Sequence, residues 1–138
     1  MRLYLSSYRI GDRAGALLAL LGFGGRAAIV SNALDGLSPQ ARRAYREEVY
    51  DPVAELASLG ISGADLDLRR FFGQKEALSK ELMGYDLVWV TGGNAFTLRR
   101  AMKQSGFDAV ISGMLDRDEI VYGGFSAGAV VAGPSLDG

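Results

Sequence analysis

The sequence predicts an α/β fold with three layers, in which a mostly parallel sheet carries helices on both faces. Short apolar segments that read as buried strands alternate along the chain with segments of helical pattern. Strands that are separated by helices pair in parallel, and the helices then cover both faces of the sheet. The length of 138 residues suits one domain with a single core. We therefore expect residues 1–138 to form a single α/β domain.

The first half of the chain supplies three predicted strands and two predicted helical regions. The strands are residues 2–7, 27–30 and, less clearly, 65–68. Asp12 can cap a helix that runs to about Leu21, where a glycine cluster ends it. Ser38 can cap the next helix, which has Pro39 at its first position and extends to about residue 59. Pro52 predicts a kink or a break within that helical region.

The second half continues the alternation and ends in a glycine-rich turn. Helices are predicted at residues 75–83, 95–104 and 107–115, with Asn94 as the cap of the second. Residues 87–90 form a clearly apolar strand, and residues 119–123 form a last one. In parallel sheets of this kind, sites lie at the carboxyl ends of the strands. Two loops have a suitable composition, residues 91–94 and residues 124–128.

Gly124-Phe125-Ser126-Ala127-Gly128 matches the Gly-x-Ser-x-Gly pattern of a nucleophile elbow. Such an elbow holds a serine hydroxyl out at a sharp turn between a strand and a helix, and the flanking glycines relieve crowding there. The simpler interpretation is a tight turn whose serine caps the following helix. The position after an apolar strand favours the catalytic interpretation, with Ser126 as the nucleophile.

Acyl transfer at Ser126 also requires two fixed donors for the oxyanion. The backbone N–H of Ala127 is one candidate, and the Gly92-Gly93 pair before the cap Asn94 can supply the other. Taken alone, this second loop would be a strand-to-helix turn. Paired with the serine pattern, it predicts an oxyanion hole formed by the N–H groups of Gly93 and Ala127.

Composition limits the chemistry that can accompany this serine. The chain contains no histidine and no cysteine, so it lacks the usual base, a disulfide and a thiolate metal site. Lys75, Lys80 and Lys103 lie on predicted exposed faces away from the serine. We predict no metal and no cofactor, and we expect the 138 residues alone to be inactive.

The remaining composition is that of an ordinary globular protein, with 49% apolar and 22% charged residues and a net charge of −1. This charge gives no reason to expect a nucleic-acid or membrane partner. The amino terminus does not fit a signal peptide, and no apolar stretch is long enough to span a membrane, so a cytoplasmic location is expected. Arg42, Arg43 and Arg46, followed by two glutamates, predict a solvated helix face with local ion pairs.

Residues 90–98, 123–129 and 132–135 together resemble the peptidase E family of α-aspartyl dipeptidases, which are serine peptidases. The resemblance covers essentially the whole chain, with Thr91 where the family has the first glycine of a Gly-Gly-Gly-Asn run. It implies a flavodoxin-like fold similar to class I glutamine amidotransferases and hydrolysis of short peptides with an amino-terminal aspartate. A homodimer is a further expectation for the chain. The resemblance also implies a catalytic histidine and an acidic partner downstream of residue 138, so the chain is expected to be the amino-terminal part of a longer domain.

Two other functions remain open on the sequence. The chain could be a non-catalytic binding module that keeps the serine turn without a base. An α/β-hydrolase esterase would share the Gly-x-Ser-x-Gly pattern, but its usual oxyanion loop contains a histidine, which this sequence does not have.

Overall fold

A computed structural model of the chain describes residues 2–6 and 25–125. Its centre is a five-stranded sheet in the order β1-β5-β4-β2-β3, and each of the four strand pairings is parallel. The strands are β1 (Arg2–Ser6), β2 (Arg26–Val30), β3 (Ser62–Asp65), β4 (Leu87–Val90) and β5 (Val121–Phe125). The predicted parallel α/β fold is therefore confirmed.

Five α-helices and two 3-10 helices connect these strands in the described part of the chain. The α-helices are α1 (Pro39–Glu48), α2 (Pro52–Ala57), α3 (Lys75–Leu82), α4 (Ala95–Ser105) and α5 (Phe107–Asp116). The 3-10 helices are η1 (Asn32–Leu34) and η2 (Leu68–Phe71). The predicted helix at residues 12–21 lies outside the described residues.

Each face of the sheet has its own hydrophobic core, as three layers require. The larger core packs α3, α4, α5 and η2 against one face and includes Phe107, Leu98 and Tyr122. The smaller core packs Leu56 of α2 with Trp89 of β4 on the other face. Helix α1 is an exception because none of its residues is buried. The half-buried Tyr45 packs against the smaller core, so α1 is attached by this contact together with polar contacts.

The helix starts follow the predicted capping. The Ser38 hydroxyl accepts a hydrogen bond from the Ala41 N–H at 3.1 Å. The helical region ends and restarts before Pro52, where the Asp51 carboxylate accepts from the Val53 N–H at 3.0 Å. The predicted break at Pro52 is confirmed, and it separates α1 from α2.

Two strands lie at positions other than those predicted. The third strand is residues 62–65 instead of 65–68, because Ser62 N–H bonds to Gly25 and Leu66 N–H already closes the pairing with Ile29. The apolar pair Leu66 and Leu68 is buried without being a strand. The last strand is residues 121–125 instead of 119–123.

The shift of β5 has a simple cause. The Glu119 N–H bonds to the carbonyl of Met114 at 2.9 Å, so this residue completes the turn after α5. Sheet pairing begins with Val121, which lies opposite Leu87. Gly123 then pairs with Trp89, and a Cβ there would lie 2.6 Å from the indole ring. The first glycine of this strand thus makes room for the largest residue of the core.

Along the described part of the chain, none of the helices combines the length and the apolar character that crossing a membrane would need.

Candidate active site

The loop after β4 and the carboxyl end of β5 lie at the same edge of the sheet, on adjacent strands. Val90, the last residue of β4, pairs with Gly124 of β5. Thr91 to Asn94 follow β4 directly, and β5 ends at Phe125. Adjacent strands are about 4.8 Å apart, so the Gly92-Gly93 loop begins one strand spacing from the end of β5. The loop that the sequence predicts as an oxyanion loop thus begins one strand spacing from the strand that precedes Ser126.

Gly93 is fixed in a conformation that only glycine adopts readily. Its φ is 143°, and a Cβ at this position would lie 2.7 Å from the carbonyl oxygen of Ala33. The same carbonyl accepts the N–H of Asn94 at 2.9 Å, so η1 contacts and fixes the Gly92-Gly93 loop. Within the described residues, the Gly93 N–H has no hydrogen-bond acceptor. It is an exposed residue at the start of a helix, where an N–H group favours an anion.

Asn94 has the capping role that was predicted for it. Its side-chain oxygen accepts the N–H of Thr97 at 3.0 Å and so starts α4. Gly92 is buried at the end of β4, and Gly124 is a buried residue within β5. Ser126, Ala127 and Gly128 lie outside the described residues, so their roles stay predictions.

Asn32 is a central polar residue of this edge that no motif of the sequence indicated. Its side chain is buried and forms hydrogen bonds with three residues in two segments. The amide nitrogen donates to Asp35 at 2.8 Å and to Asp67 at 3.0 Å, and the amide oxygen accepts the Leu68 N–H at 3.1 Å. Asn32 thereby ties η1, which supports Gly93, to the chain after β3. A polar residue two positions after the end of the buried strand β2 was the signal that could have revealed it.

Asp67 is held in its charged form by the same network. Although burial opposes ionisation, hydrogen bonds from the Arg69 guanidinium and from Asn32 keep the pKa of Asp67 well below its ordinary value. The Arg69 Nη2 lies 2.9 Å from the Asp67 carboxylate. This pairing in turn raises the pKa of Arg69. Asp67 is therefore a structural anion and not a candidate proton acceptor.

A cavity of about 450 Å³ opens at the carboxyl ends of β2, β3 and β4. Helix α1 covers it, and Thr91 connects it to the Gly92-Gly93 loop. Its lining mixes apolar and aromatic side chains with four arginines and two aspartates, which are Arg42, Arg43, Arg46, Arg70, Asp65 and Asp67. We call it the arginine cavity. Its size and mixed lining are typical of small-ligand sites.

The arginines of α1 do not form the local ion pairs that the sequence predicted. Arg46 instead binds Asp65 at the end of β3 through two hydrogen bonds of 2.8 Å each. The hydrogen bond to Asp65 raises the pKa of Arg46. Arg42 lies 3.8 Å from Asp35. Helix α1 is thus attached across the mouth of the cavity by ion pairs to other elements, since tertiary geometry and not helical spacing sets the partners.

No group of acidic residues within the described ranges is arranged to hold a metal ion. The predicted absence of a metal and of a cofactor stays a prediction. The chemistry that the described site offers is that of backbone N–H donors beside a cationic cavity.

Comparison with known proteins identifies the family. The sequence profile of peptidase family S51 matches residues 38–138. The chain belongs to peptidase family S51. The match begins at the cap of α1 and includes both predicted loops, so the peptidase E resemblance of the sequence is confirmed.

Individual S51 relatives agree with this assignment. The chain is 34% identical over 82 residues to an uncharacterized peptidase of Listeria monocytogenes, covering 59% of this chain and 38% of that protein. Its fold is similar to the crystal structure of a provisionally assigned peptidase E protein from Listeria monocytogenes, with a TM-score of 0.71 and 25% identity. That match covers 94% of this chain and 60% of the other. The chain therefore spans less than two thirds of the length of these S51 relatives.

Proposed function

We propose that this chain carries the nucleophile and oxyanion half of a serine peptidase active site. Ser126 would attack the scissile carbonyl of a short peptide and form an acyl-enzyme, which water then hydrolyses. The observation that carries the proposal is the conformation of Gly93. Gly93 lies just before α4, and its N–H has no acceptor among the described residues. The loop that contains it follows β4, the strand adjacent to β5.

The Gly93 N–H would stabilise the oxyanion together with the N–H of Ala127. Charge develops on one carbonyl oxygen in the transition state, and fixed donors lower its energy without reorganisation. The packing of Gly93 on Ala33 supports this role, since it fixes the donor before substrate binds. The neighbouring strand β5, whose last residue Phe125 precedes Ser126, supports placing the nucleophile beside it.

These 138 residues contain no histidine, which is the usual general base for a serine nucleophile. We propose that a histidine from further chain, as the peptidase E resemblance implies, completes the site. Without a base, the Ser126 hydroxyl keeps its proton at neutral pH and is a weak nucleophile. The isolated 138 residues should then retain at most a residual rate enhancement of about 10³–10⁴ over water.

The proposed substrates are short peptides with an amino-terminal aspartate. The experiment compares hydrolysis of Asp-Leu, Asn-Leu and Leu-Leu by the full product of the encoding gene and by residues 1–138. We expect the full gene product to hydrolyse Asp-Leu but neither Asn-Leu nor Leu-Leu. Residues 1–138 should hydrolyse none of the three peptides at a comparable rate. Equal rates on the three peptides would refute the aspartate preference, and no hydrolysis of any peptide would favour the binding-module alternative.

A further inference from the structure

The arginine cavity contains more positive than negative charge. Four arginines and two aspartates line it, which leaves an excess of two positive charges. The whole chain has a net charge of −1, so this excess is a local concentration and not a general property of the surface. A partly enclosed cavity with charge of one sign attracts ligands of the opposite sign.

The two aspartates of the lining already have cationic partners. Asp65 binds Arg46 through both of its oxygens. Asp67 binds Arg69, which does not line the cavity. Neither aspartate is therefore available to neutralise the remaining arginines.

Arg42 lies beside Asp35, so Arg43 and Arg70 are the arginines of the lining that these pairs leave over. Within residues 2–6 and 25–125, neither has an ion pair. They come from different elements, α1 and η2, and both are exposed. An arginine guanidinium presents paired N–H donors that match a carboxylate, so two such groups in one lining give the cavity donors suited to that anion.

The cavity is also placed to serve the proposed catalytic loop. Thr91 lines it and directly precedes Gly92. The cavity extends from there away from β5, past β2, which is two strands from β5 and hence roughly 10 Å away. An extended chain covers about 3.3–3.6 Å per residue, so a dipeptide bound at Gly93 spans about 7 Å and its carboxylates meet the cavity at the end next to Thr91.

We propose that the arginine cavity is a subsite for a carboxylate of the peptide substrate, with Arg43 and Arg70 as the binding residues. The identity of the ligand rests on the proposed peptidase function. The carboxylate has two sources in an aspartyl dipeptide, the aspartate side chain and the carboxyl terminus. Apolar neighbours such as Ile29 and Leu34 would contact the remainder of the peptide.

Binding is measured by calorimetry on the full gene product carrying Ser126→Ala, so that turnover does not interfere. The ligands are Asp-Leu, Asp-Leu amide and Asn-Leu. Arg43→Gln and Arg70→Gln should each raise the dissociation constant for Asp-Leu by about tenfold or more, since each removes a charge-assisted contact. Arg100→Gln, an exposed arginine of α4 outside the cavity, is the matched control and should have no effect.

The other two ligands identify the carboxylate. If the aspartate side chain occupies the cavity, Asn-Leu binds weakly and its binding is insensitive to both arginine substitutions. If the carboxyl terminus occupies the cavity, Asp-Leu amide binds weakly and is insensitive to both substitutions. Either result supports the subsite. Equal binding of the three ligands, absence of binding, or identical effects of all three arginine substitutions would overturn it. Hydrolysis by the unsubstituted protein tests the peptidase function separately, so the two proposals can fail independently.

Discussion

The carbonyl oxygen of Ala33 lies 2.7 Å from the point where a Cβ of Gly93 would stand. The same oxygen accepts the N–H of Asn94. One backbone group of η1 therefore both excludes a side chain at Gly93 and fixes the residue that starts α4. The orientation of the proposed oxyanion donor depends on a loop that follows a different strand, β2.

Replacing Gly93 with alanine should destabilise the fold and disturb this donor. A φ of 143° and the contact with Ala33 should together lower the free energy of unfolding by about 1–3 kcal/mol. Urea unfolding measures the change. Gly36→Ala is the control, because a Cβ there meets nothing within 4 Å, and its effect should stay within about 0.5 kcal/mol. Equal effects at the two positions would show that the contact with Ala33 does not restrict Gly93.

Asn32→Ala should be costly although the substitution is small. It leaves the Leu68 N–H without its acceptor and removes donors from two carboxylates, so we expect a loss of about 2–3 kcal/mol. Asn94→Ala removes one capping bond and should cost about 1 kcal/mol. Chemical denaturation of both variants gives the comparison. A smaller loss at Asn32 than at Asn94 would contradict its role as a link between η1 and η2.

The attachment of α1 should depend on the Arg46–Asp65 pair. A double-mutant cycle with alanine should give a coupling of about 0.5–1 kcal/mol, since both side chains are partly exposed. Either single substitution should also accelerate hydrogen exchange of the α1 amides, because no residue of this helix is buried. A second double-mutant cycle, with Arg43 in place of Arg46, is the control and should show no coupling to Asp65. Unchanged exchange in α1 would mean that other contacts hold it.

Asp67 should make stability fall in acid. Its pKa is lowered in the folded protein, so the unfolded chain takes up the proton first as the pH falls. The stabilisation is complete above the ordinary aspartate pKa of about 3.9 and declines below it. Asp67→Asn should therefore lower the free energy of unfolding by about 1–2 kcal/mol at pH 5–7. This difference should shrink between pH 4 and pH 2.

The measurement is urea unfolding of both proteins at pH 7, 5, 3 and 2. A difference that stays constant down to pH 2 would show that the Asp67 charge does not contribute. One that disappears near pH 6 would point to another titrating group.

The local signals of the sequence were sufficient for most elements. Ser38, Pro52 and Asn94 placed helix starts because capping depends on neighbouring residues. The position of β3 was not predictable in this way, since Leu66 and Leu68 are buried by tertiary packing after the strand has ended.

The arginine cavity is a second feature that local patterns could not reveal. The partner of Arg46 lies 19 residues away, and Asn32 bonds to a residue 36 positions away. Helical spacing carries no information about such partners. The position of the Gly92-Gly93 loop was predictable because it directly follows the apolar strand β4, whereas its role as an oxyanion loop stays a prediction.

The dependence of peptide hydrolysis on Ser126 tests most directly whether this residue is the nucleophile. The measurement is kcat/KM for Asp-Leu with the full gene product, its Ser126→Ala variant and Ser79→Ala, a serine of α3 outside the cavity. If Ser126 is the nucleophile, Ser126→Ala lowers kcat/KM by about 10³-fold or more, while Ser79→Ala leaves it within about twofold. Substantial hydrolysis by the Ser126→Ala variant would contradict the assignment of Ser126 as the nucleophile.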